Sequence, residues 1–473
     1  MDDSRAGTDE RSRTLDALRS ILVEDLRVQC EARQIDPDVA LFGSGLGLDS
    51  IDAVDLGVAI DRRLGVRLEQ GPRAREVVRT MASLADEVML LRKIRDGEID
   101  AEDARVEGVE TSTAGDGFVV PRALPRRAPA HPHRPAGYDA LRNAVGILRE
   151  RDWHAFLLRG EAAFDLVDAL SSRDVFVRPD AMLHTLFLGE DGSAWANVYL
   201  SPKGDDFHVL VSGPSHDEAL EHLEAARDQG NLEVEIESLA EAHDLVGIHG
   251  PFAWELLEAI VGPEVIGIPY LSAFELFEFD ARCFRFGETG EFGYQVIVPR
   301  ERSDELFARL EAEGAELGVE RLDPDALVLA GLESGFFQAA VPELRRLPAV
   351  ELQLAWRLTL DREVPGMEAA RRQLDESPRR IRWFATDDPL AEVETGASVV
   401  LDNGAIGEVV VARCGVGVAL ISAPELEDGT TVVLGDVAGV LRSAPLVVSV
   451  SLRVDPQRHR YASRVEDGLV DDG

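Results

Sequence analysis

The segment from Asp96 to Pro135 interrupts the chain early and constrains its fold more than any other feature. Acidic residues at its start give way to a run rich in Pro, Arg, Ala and His between Pro121 and Pro135. Closely spaced prolines favour the extended polyproline-II conformation, so this segment predicts a semi-stiff tether and not part of a core. We therefore expect folded regions at residues 1–95, 138–375 and 376–473, with residues 96–137 as a flexible linker.

Charge and hydropathy exclude several classes of protein. The formal net charge of the 473-residue chain is −39 at pH 7, and such a field repels polyanions, so we expect no nucleic acid and no anionic membrane among its partners. The polar N-terminus lacks the apolar core of a secretory signal, and no stretch of about 18 uncharged apolar residues follows, which predicts a cytoplasmic protein. Cys30, Cys283 and Cys414 lack paired-ligand spacing, so we expect neither a disulfide nor a metal site.

The N-terminal region is predicted to be a small helical bundle. Apolar residues recur at helical spacing from Leu15 to Leu26, and a glycine-containing loop follows. A second helix should begin at Ser50 and end at Gly65, where glycine favours termination. The segment Val77 to Lys93 has the pattern of a last amphipathic helix.

The segment Leu41 to Val66 carries the sequence Gly-Leu-Asp-Ser-Ile around Ser50. A serine at the start of a helix lies at the end of a loop, where a transferase can reach its hydroxyl. The alternative is that Ser50 only caps the helix. The motif and its glycine-rich approach resemble the acyl carrier protein family. That resemblance implies a four-helix carrier bundle with 4'-phosphopantetheine attached to Ser50 and with Asp49 beside it.

The same resemblance implies partner proteins. Acidic residues surround the helix that begins at Ser50 and are expected to dock to arginine-rich enzymes; they are Asp49, Asp52, Asp55 and Asp61. A phosphopantetheinyl transferase would install the arm, and a loading enzyme would attach an acyl or aminoacyl group. The expected substrate is then the carrier-bound thioester.

Beyond Tyr138 the patterns alternate between helix and strand, as is typical of an α+β domain. Helices are expected at Tyr138–Arg149, Gly160–Leu170, Asp217–Ala226 and Arg302–Gly314. Strands are expected at His184–Leu188, Ala194–Tyr199, Phe207–Val211 and Tyr294–Val298. From Ile381 to Arg453, short Val-rich runs are separated by turn sequences such as Asn403-Gly404, which predicts a small β-barrel or sandwich.

Several motifs between Trp153 and Asp361 resemble, in the same order, those of the glycine cleavage T-protein (aminomethyltransferase) family. The most specific is Gly287–Tyr294, GETGEFGY, which is similar to the family's Gly-Tyr-Thr-Gly-Glu-x-Gly-Phe/Tyr-Glu signature. Further matches are Gly160–Val175, Leu188–Leu200, Ile248–Pro251, Leu332–Gly335 and, in the C-terminal region, Asn403–Gly407. The resemblance implies an α+β folate-binding domain, a C-terminal β-barrel, and tetrahydrofolate or a one-carbon derivative as cofactor.

The sequence differs from the family at several positions where the family has charged residues. The paired acids of the family align with Ala196 and Asn197, so no carboxylate stands there to protonate a folate nitrogen. Gln295 replaces the glutamate that would pair with the guanidine-like edge of the pterin, and a neutral amide lacks charge assistance. Val328 and Gly331 replace an acid and a base further along.

The remaining polar residues give the candidate sites. Candidate catalytic residues are Asn197, Glu291 and Asp191. Candidate folate-binding residues are Asn197, Tyr199, Gly290, Tyr294, Gln295 and Trp356. His154 and His249 are expected to be structural histidines that local hydrogen bonds satisfy.

Two functions from different classes follow. The first is an enzyme: a tetrahydrofolate-dependent one-carbon transferase, of aminomethyl or methyl type, that acts on a carrier-bound acyl or aminoacyl thioester in specialised metabolism. The linker would raise the local concentration of that thioester to roughly the millimolar range. The second is a catalytically degenerate scaffold that binds and presents the loaded carrier, which the missing acids favour. In a variant of the first function, Glu291 or Asp191 supplies an acid for different chemistry on the same thioester.

Overall fold

The computed structural model of this protein describes residues 3–48, 50–68, 77–99, 131–402, 404–422, 426 and 428–470. Asp49, Asn403 and residues 100–130 of the predicted linker lie outside the described residues. The chain divides into two compact units that alternate along the sequence. The carrier–barrel unit contains the described residues of Met1–Ala130, Val350–Leu358 and Ser377–Val447; the α+β unit contains those of His131–Ala349, Thr359–Glu376 and Val448–Gly473.

The carrier domain is helical, as predicted. Its described helices are α1 (Asp3–Ser20), which continues into a π-helical turn, α2 (Ser50–Leu64) and α3 (Met81–Arg95). Their apolar faces form one core that includes Leu18, Ile21, Leu22, Leu56, Ile60, Leu84 and Val88. The helix start at Ser50 is confirmed. Helix α3 begins later than the predicted Val77 because Thr80 caps it, accepting a hydrogen bond from the Ser83 backbone N–H.

Helices of the α+β unit pack against two sheets. The described ones are α4 (Tyr138–Asn143), α5 (Ala163–Leu170), α6 (His216–Gly230), α7 (Ala253–Val261), α8 (Arg300–Gly314), α9 (Pro324–Ser334), α10 (Pro342–Arg345) and α11 (Met367–Glu376). The amphipathic helices α5 and α6 cover one face of the second sheet, and α7 and α8 cover the first. None of the helices described has the length and apolar character needed to cross a membrane.

The strands of the α+β unit are β1 (Val145–Arg149), β2 (Trp153–Arg159), β3 (Leu183–Phe187), β4 (Ala196–Lys203), β5 (Asp206–Ser212), β6 (Glu235–Ser238), β7 (His243–His249), β8 (Ser272–Leu276), β9 (Ala281–Arg285), β10 (Gly293–Pro299) and β11 (Val319–Arg321). They form a six-stranded sheet in the order β11-β1-β7-β10-β9-β8 and a five-stranded sheet in the order β3-β4-β5-β2-β6. An apolar core containing Leu157, Tyr199, Phe284 and Ile297 draws on both sheets.

The prediction of a helix over Tyr138–Arg149 is wrong beyond Asn143. Strand β1 takes the second half of this segment, where it pairs antiparallel with β7 and parallel with β11. Val145 and Ile147 are fully buried there. Two backbone ladders and the burial of β-branched side chains outweigh the local helical periodicity. The other predicted helices and strands overlap observed elements, with ends shifted by a few residues.

The C-terminal region forms a closed barrel, which decides between the barrel and the sandwich. Its strands are β12 (Arg380–Thr386), β13 (Ser398–Leu401), β14 (Gly404–Arg413), β15 (Val416–Ile421), β16 (Thr431–Leu434) and β17 (Val437–Arg442), in the order β12-β15-β14-β13-β16-β17. Its interior includes Phe384, Val399, Val409 and Leu441. The predicted third region, 376–473, divides in the structure, since Val450, Val454 and Leu469 join the core of the α+β unit.

Candidate functional site

Strand β4 presents two residues of the predicted site on one face. The even-numbered residues from Ala196 to Leu200 join the core that includes residues of α5 and α6. Side chains alternate along a strand, so Asn197 and Tyr199 lie together on the opposite face. Both are fully buried, and the Tyr199 ring stacks on Phe286 with 3.9 Å between ring centroids. This face of β4 therefore packs against Phe286, which follows β9.

Side chains also alternate along strand β10, so Tyr294 and Gln295 lie on opposite faces of the sheet. Tyr294 belongs to the core beneath the six-stranded sheet, and burial raises the pKa of its phenol to about 12. Gln295 lies on the other face and lines a cleft. Consecutive residues of a strand cannot share a face, so Tyr294 is corrected from a predicted folate contact to a core residue.

Glu288, in the loop between β9 and β10, supplies a carboxylate beside Asn197. The Asn197 side-chain amide and the Tyr199 hydroxyl both donate to Glu288 Oε1, the latter over 3.1 Å. Asn197 Oδ1 lies 2.5 Å from His184 Nε2, and the His184 ring stacks on Tyr199 with 4.1 Å between centroids. An amide carbonyl oxygen can only accept, so His184 Nε2 is the donor. A carboxylate of the β9–β10 loop therefore stands beside Asn197 and Tyr199.

A second carboxylate lies beside Gln295. Gln295 Nε2 donates to Glu150 Oε1 over 3.0 Å, and His249 Nε2 lies 3.2 Å from the same oxygen. The side chains of Glu150 and His249 are 3% and 2% exposed. Gln295 Oε1 and His249 Nδ1 are buried without a hydrogen-bond partner among the described residues. Flipping the Gln295 amide would place two acceptors together, so the assigned orientation is the stable one.

Gly247 leaves room for this cluster. It pairs with Gln295 across β7 and β10. A Cβ atom at Gly247 would lie 2.6 Å from Glu150 Oε1 and 2.7 Å from His249 Nε2. Any side chain there would push the carboxylate and the imidazole apart, so glycine is required by close approach and not by its backbone angles.

Glu288 of the first cluster and Glu150, His249 and Gln295 of the second line one cleft. Trp153 and Phe286 supply aromatic surface, and Leu327 and Val328 of α9 supply aliphatic surface. The carboxylates that line it are those of Glu150, Asp152 and Glu288, and no lysine or arginine is among its described lining residues. Burial, followed by the nearby charges of Glu150 and Asp325, raises the pKa of Asp152. The cleft therefore suits a flat ligand with several N–H donors or a cationic amine.

Glu291 and Gly290 do not line this cleft. The Glu291 carboxylate is buried, pairs with Arg142 over 3.2 Å, and accepts hydrogen bonds from Ser451 N at 2.8 Å and Ser451 Oγ at 2.7 Å. Burial raises its pKa, and Arg142 opposes that shift. Gly290 has φ of +81°, and a Cβ there would collide with a serine hydroxyl. These two residues hold the turn in place, which corrects their predicted roles in catalysis and folate binding.

Asp191 and Trp356 are not among the residues that line the cleft. Asp191 is exposed in the β3–β4 hairpin, where its Oδ1 accepts a hydrogen bond from Ser193 N at 3.0 Å, and bonds from Ser193 lower its pKa. Trp356 belongs to the carrier–barrel unit and packs against the carrier core. Of the predicted site residues, Asn197 and Tyr199 meet at Glu288, and Gln295 lines the same cleft as Glu288.

Residues 106–362 match the family model of the GCVT N-terminal domain, which covers more than half of the chain. The chain belongs to this family. Residues 16–71 match the model of the phosphopantetheine attachment site. The protein is therefore a fusion of an N-terminal carrier domain with an aminomethyltransferase-like domain. Ser50 lies inside the carrier match, residues 16–71, and is the first residue of α2.

Curated relatives of this GCVT-family chain include several aminomethyltransferases. The enzyme of Chlorobium chlorochromatii is 24% identical over 344 residues, which span 67% of this chain and 91% of that protein. The enzyme of Flavobacterium psychrophilum is 22% identical over 250 residues, 52% of this chain and 69% of that protein. The solved structure of glycine cleavage system aminomethyltransferase T from Bartonella henselae covers 66% of this chain and 89% of its own, with a TM-score of 0.57 and 17% identity. At this identity the likeness establishes the fold.

Sequence reasoning missed Glu150, Glu288 and His184. Glu288 stands inside the GETGEFGY motif at the position where the family signature has tyrosine, so this exchange was a usable signal. Glu150 directly follows β1 and belongs to no motif. It comes close to Gln295 only through the pairing of β1 with β7 and of β7 with β10.

Proposed function

We propose that this protein is a tetrahydrofolate-dependent one-carbon transferase that acts on an acyl or aminoacyl thioester carried by phosphopantetheine on Ser50. The observation that carries the proposal is the cleft of the GCVT-family domain. Glu150 lies beside Gln295, and Glu288 lies beside Asn197, so a carboxylate accompanies two of the neutral residues that stand where the family has acids.

The residues of the cleft fit a pterin. Its guanidine-like edge presents N–H donors, and the cleft offers the Glu150 carboxylate and the buried Gln295 Oε1, which has no partner among the described residues. His249 Nδ1 is a further acceptor when the neutral ring carries its proton on Nε2, toward Glu150. An unmade hydrogen bond at a buried polar atom costs about 1–3 kcal/mol, which a ligand donor would recover. Trp153 and Phe286 provide aromatic surface for a flat ring.

Glu288 is the residue best placed to hold or move a proton. Its Oε1 takes hydrogen bonds from Asn197 and Tyr199, which fix the carboxylate against the cleft. A fixed carboxylate can exchange a proton with a reacting group without first reorganising. His184 positions the Asn197 amide through its oxygen. Tetrahydrofolate, when bound, would be the molecule that holds the one-carbon unit.

The alternative is a degenerate scaffold that binds the loaded carrier without chemistry. The buried atoms Gln295 Oε1 and His249 Nδ1, which have no partner among the described residues, suit a bound ligand, and the enzyme requires a folate ligand whereas the scaffold does not. Calorimetric titration of the full-length protein with tetrahydrofolate separates the two. Heat of binding at one site per chain is expected, and its absence would leave the scaffold as the better explanation.

Glu150→Gln should weaken tetrahydrofolate binding. The substitution keeps the shape of the side chain but removes a charge-assisted hydrogen bond, which is worth about 1.5–3 kcal/mol. The dissociation constant measured by calorimetry should therefore rise by about 10- to 100-fold. Glu190→Gln, at an exposed carboxylate of the same unit, is the matched control and should bind as the wild type does. Equal affinity of Glu150→Gln and the control would contradict the assigned pterin contact.

Ser50 should accept the phosphopantetheine arm. Incubation of the protein with a promiscuous phosphopantetheinyl transferase and coenzyme A should add the mass of one arm, as measured by intact-mass spectrometry. Ser50→Ala should show no added mass, because the hydroxyl is the nucleophile. Ser44→Ala, a serine of the preceding loop, is the control and should still gain the arm. Modification that survives Ser50→Ala would disprove the assignment.

A further inference from the structure

Charged groups of the carrier domain meet opposite charges of the barrel within the carrier–barrel unit. Asp38, in the loop before α2, lies 3.1 Å from Arg382 of β12 and accepts a hydrogen bond from Ser443 Oγ over 3.0 Å. Arg79, just before α3, donates to Asp428 over 2.8 Å. The contact thus pairs a carrier acid with a barrel arginine and a carrier arginine with a barrel acid.

The segment Val350–Leu358 adds contacts to the backbone and core of the carrier. Gln34 uses its side-chain amide to donate to the carbonyl oxygens of Ala355, at 2.6 Å, and Leu358, at 2.8 Å. Arg357 donates to the carbonyl oxygen of Ser44, in the loop that leads to Ser50. The neighbouring Trp356 packs against the apolar core of the carrier. These contacts therefore fix both the position and the orientation of the carrier domain on the segment Val350–Leu358.

The ion pairs between the carrier and the barrel are largely buried, so the pairing of opposite charges in them carries weight. The Arg382 side chain is 1% exposed and that of Arg79 is 5% exposed. Burial raises the pKa of Asp38 to about 6, and Arg382 acts in the opposite direction. A buried charge without its partner is strongly destabilising, so an accidental contact would not bury charges in matched pairs.

We propose that the barrel, together with Trp356 and Arg357, is a docking surface for the carrier domain of the same chain. Docking leaves Val54 and Val58 of α2 65% and 60% exposed, so the docked carrier still offers its helix α2 to a second protein such as the transferase that modifies Ser50. The carrier then alternates between this dock and release on its linker. This inference concerns the carrier and the barrel alone and does not depend on folate chemistry.

Hydrogen exchange of the full-length protein, followed by mass spectrometry, tests the dock from both sides. Gln34→Ala removes two hydrogen bonds from the carrier side, and Arg382→Met removes the buried cation from the barrel side. Each should speed exchange at least about tenfold in peptides from both 34–48 and 350–358, because these segments protect each other only when docked. Arg67→Ala, at a carrier arginine that is 86% exposed, is the control and should leave exchange unchanged.

Two further measurements keep the result interpretable. Modification of Ser50 by the transferase shows that the carrier is still folded in each variant, and the double variant should exchange no faster than either single one if a single dock is lost. Unchanged exchange in both single variants would overturn the dock. Sedimentation should give a monomer; protection that rises with protein concentration would mean that the carrier docks on a second copy, which would overturn docking within one chain.

Discussion

Glu288→Gln is expected to lower the rate of one-carbon transfer by about 10²- to 10⁴-fold, the usual contribution of a positioned acid–base group. Glutamine keeps an oxygen that can accept from Asn197 and Tyr199, so the local structure should persist while the exchangeable proton site is lost. The measurement is the mass change of the cargo on Ser50, in protein loaded in its native pathway, after addition of tetrahydrofolate. Calorimetry should show nearly unchanged tetrahydrofolate affinity in this variant.

Asp191→Asn is the matched control for Glu288→Gln. It removes a carboxylate from the exposed β3–β4 hairpin, so transfer should proceed at the wild-type rate. A sharper companion is the exchange of the two groups, Asn197→Asp with Glu288→Gln, which returns an acid to β4 and an amide to the loop. This double variant should recover part of the lost rate. A Glu288→Gln protein as active as the wild type would show that the carboxylate is not the acid–base group.

Arg142→Met should destabilise the α+β unit by about 3–5 kcal/mol, the cost of removing one partner from a buried ion pair. Arg142 lies 3.2 Å from Glu291 and donates to Glu333 over 2.6 Å, and Tyr138 donates to Glu333 over 2.5 Å. Without the guanidinium, two carboxylates stay buried with no cation against them. The free energy of unfolding from urea titration measures the effect.

The loss of stability in Arg142→Met should depend on pH. Burial already raises the pKa of Glu291 with Arg142 present, so removing the cation raises it further above the value near 4.3 of an unfolded chain. A raised carboxyl pKa destabilises the folded state above that pKa, and protonation relieves the penalty. The variant should therefore lose more stability at pH 8 than at pH 5.

Two variants check the origin of this effect. Arg149→Met is the control, because Arg149 is 44% exposed in its ion pairs and its loss should cost less than about 1 kcal/mol. Adding Glu333→Gln to Arg142→Met should restore part of the stability. If the control and Arg142→Met lose equal stability, the buried network does not stabilise the fold as inferred.

The identity of the domains could be predicted from local sequence. The Asp-Ser-Ile core at Ser50 and the GETGEFGY motif are short and contiguous, and both lie in regions that match their family models. Helical and strand periodicity located most elements, because the apolar face of a helix or strand leaves a regular spacing. It failed at Val145–Arg149, where the pairing of β1 with two distant strands decided the conformation.

Local sequence was enough to predict the carrier domain, the proposed attachment site Ser50 and the domain family, and the resemblance pointed to Asn197 and Gln295 as positions where the family has acids. The positions of Glu288 and Glu150 beside them, and those of Tyr294 and Glu291 elsewhere, became visible only in the folded chain. The reason is physical. A carboxylate acts on a ligand through distance and hydrogen bonds, and a folded chain can bring it from any strand or loop that ends at the same cleft, which spacing along the sequence does not encode.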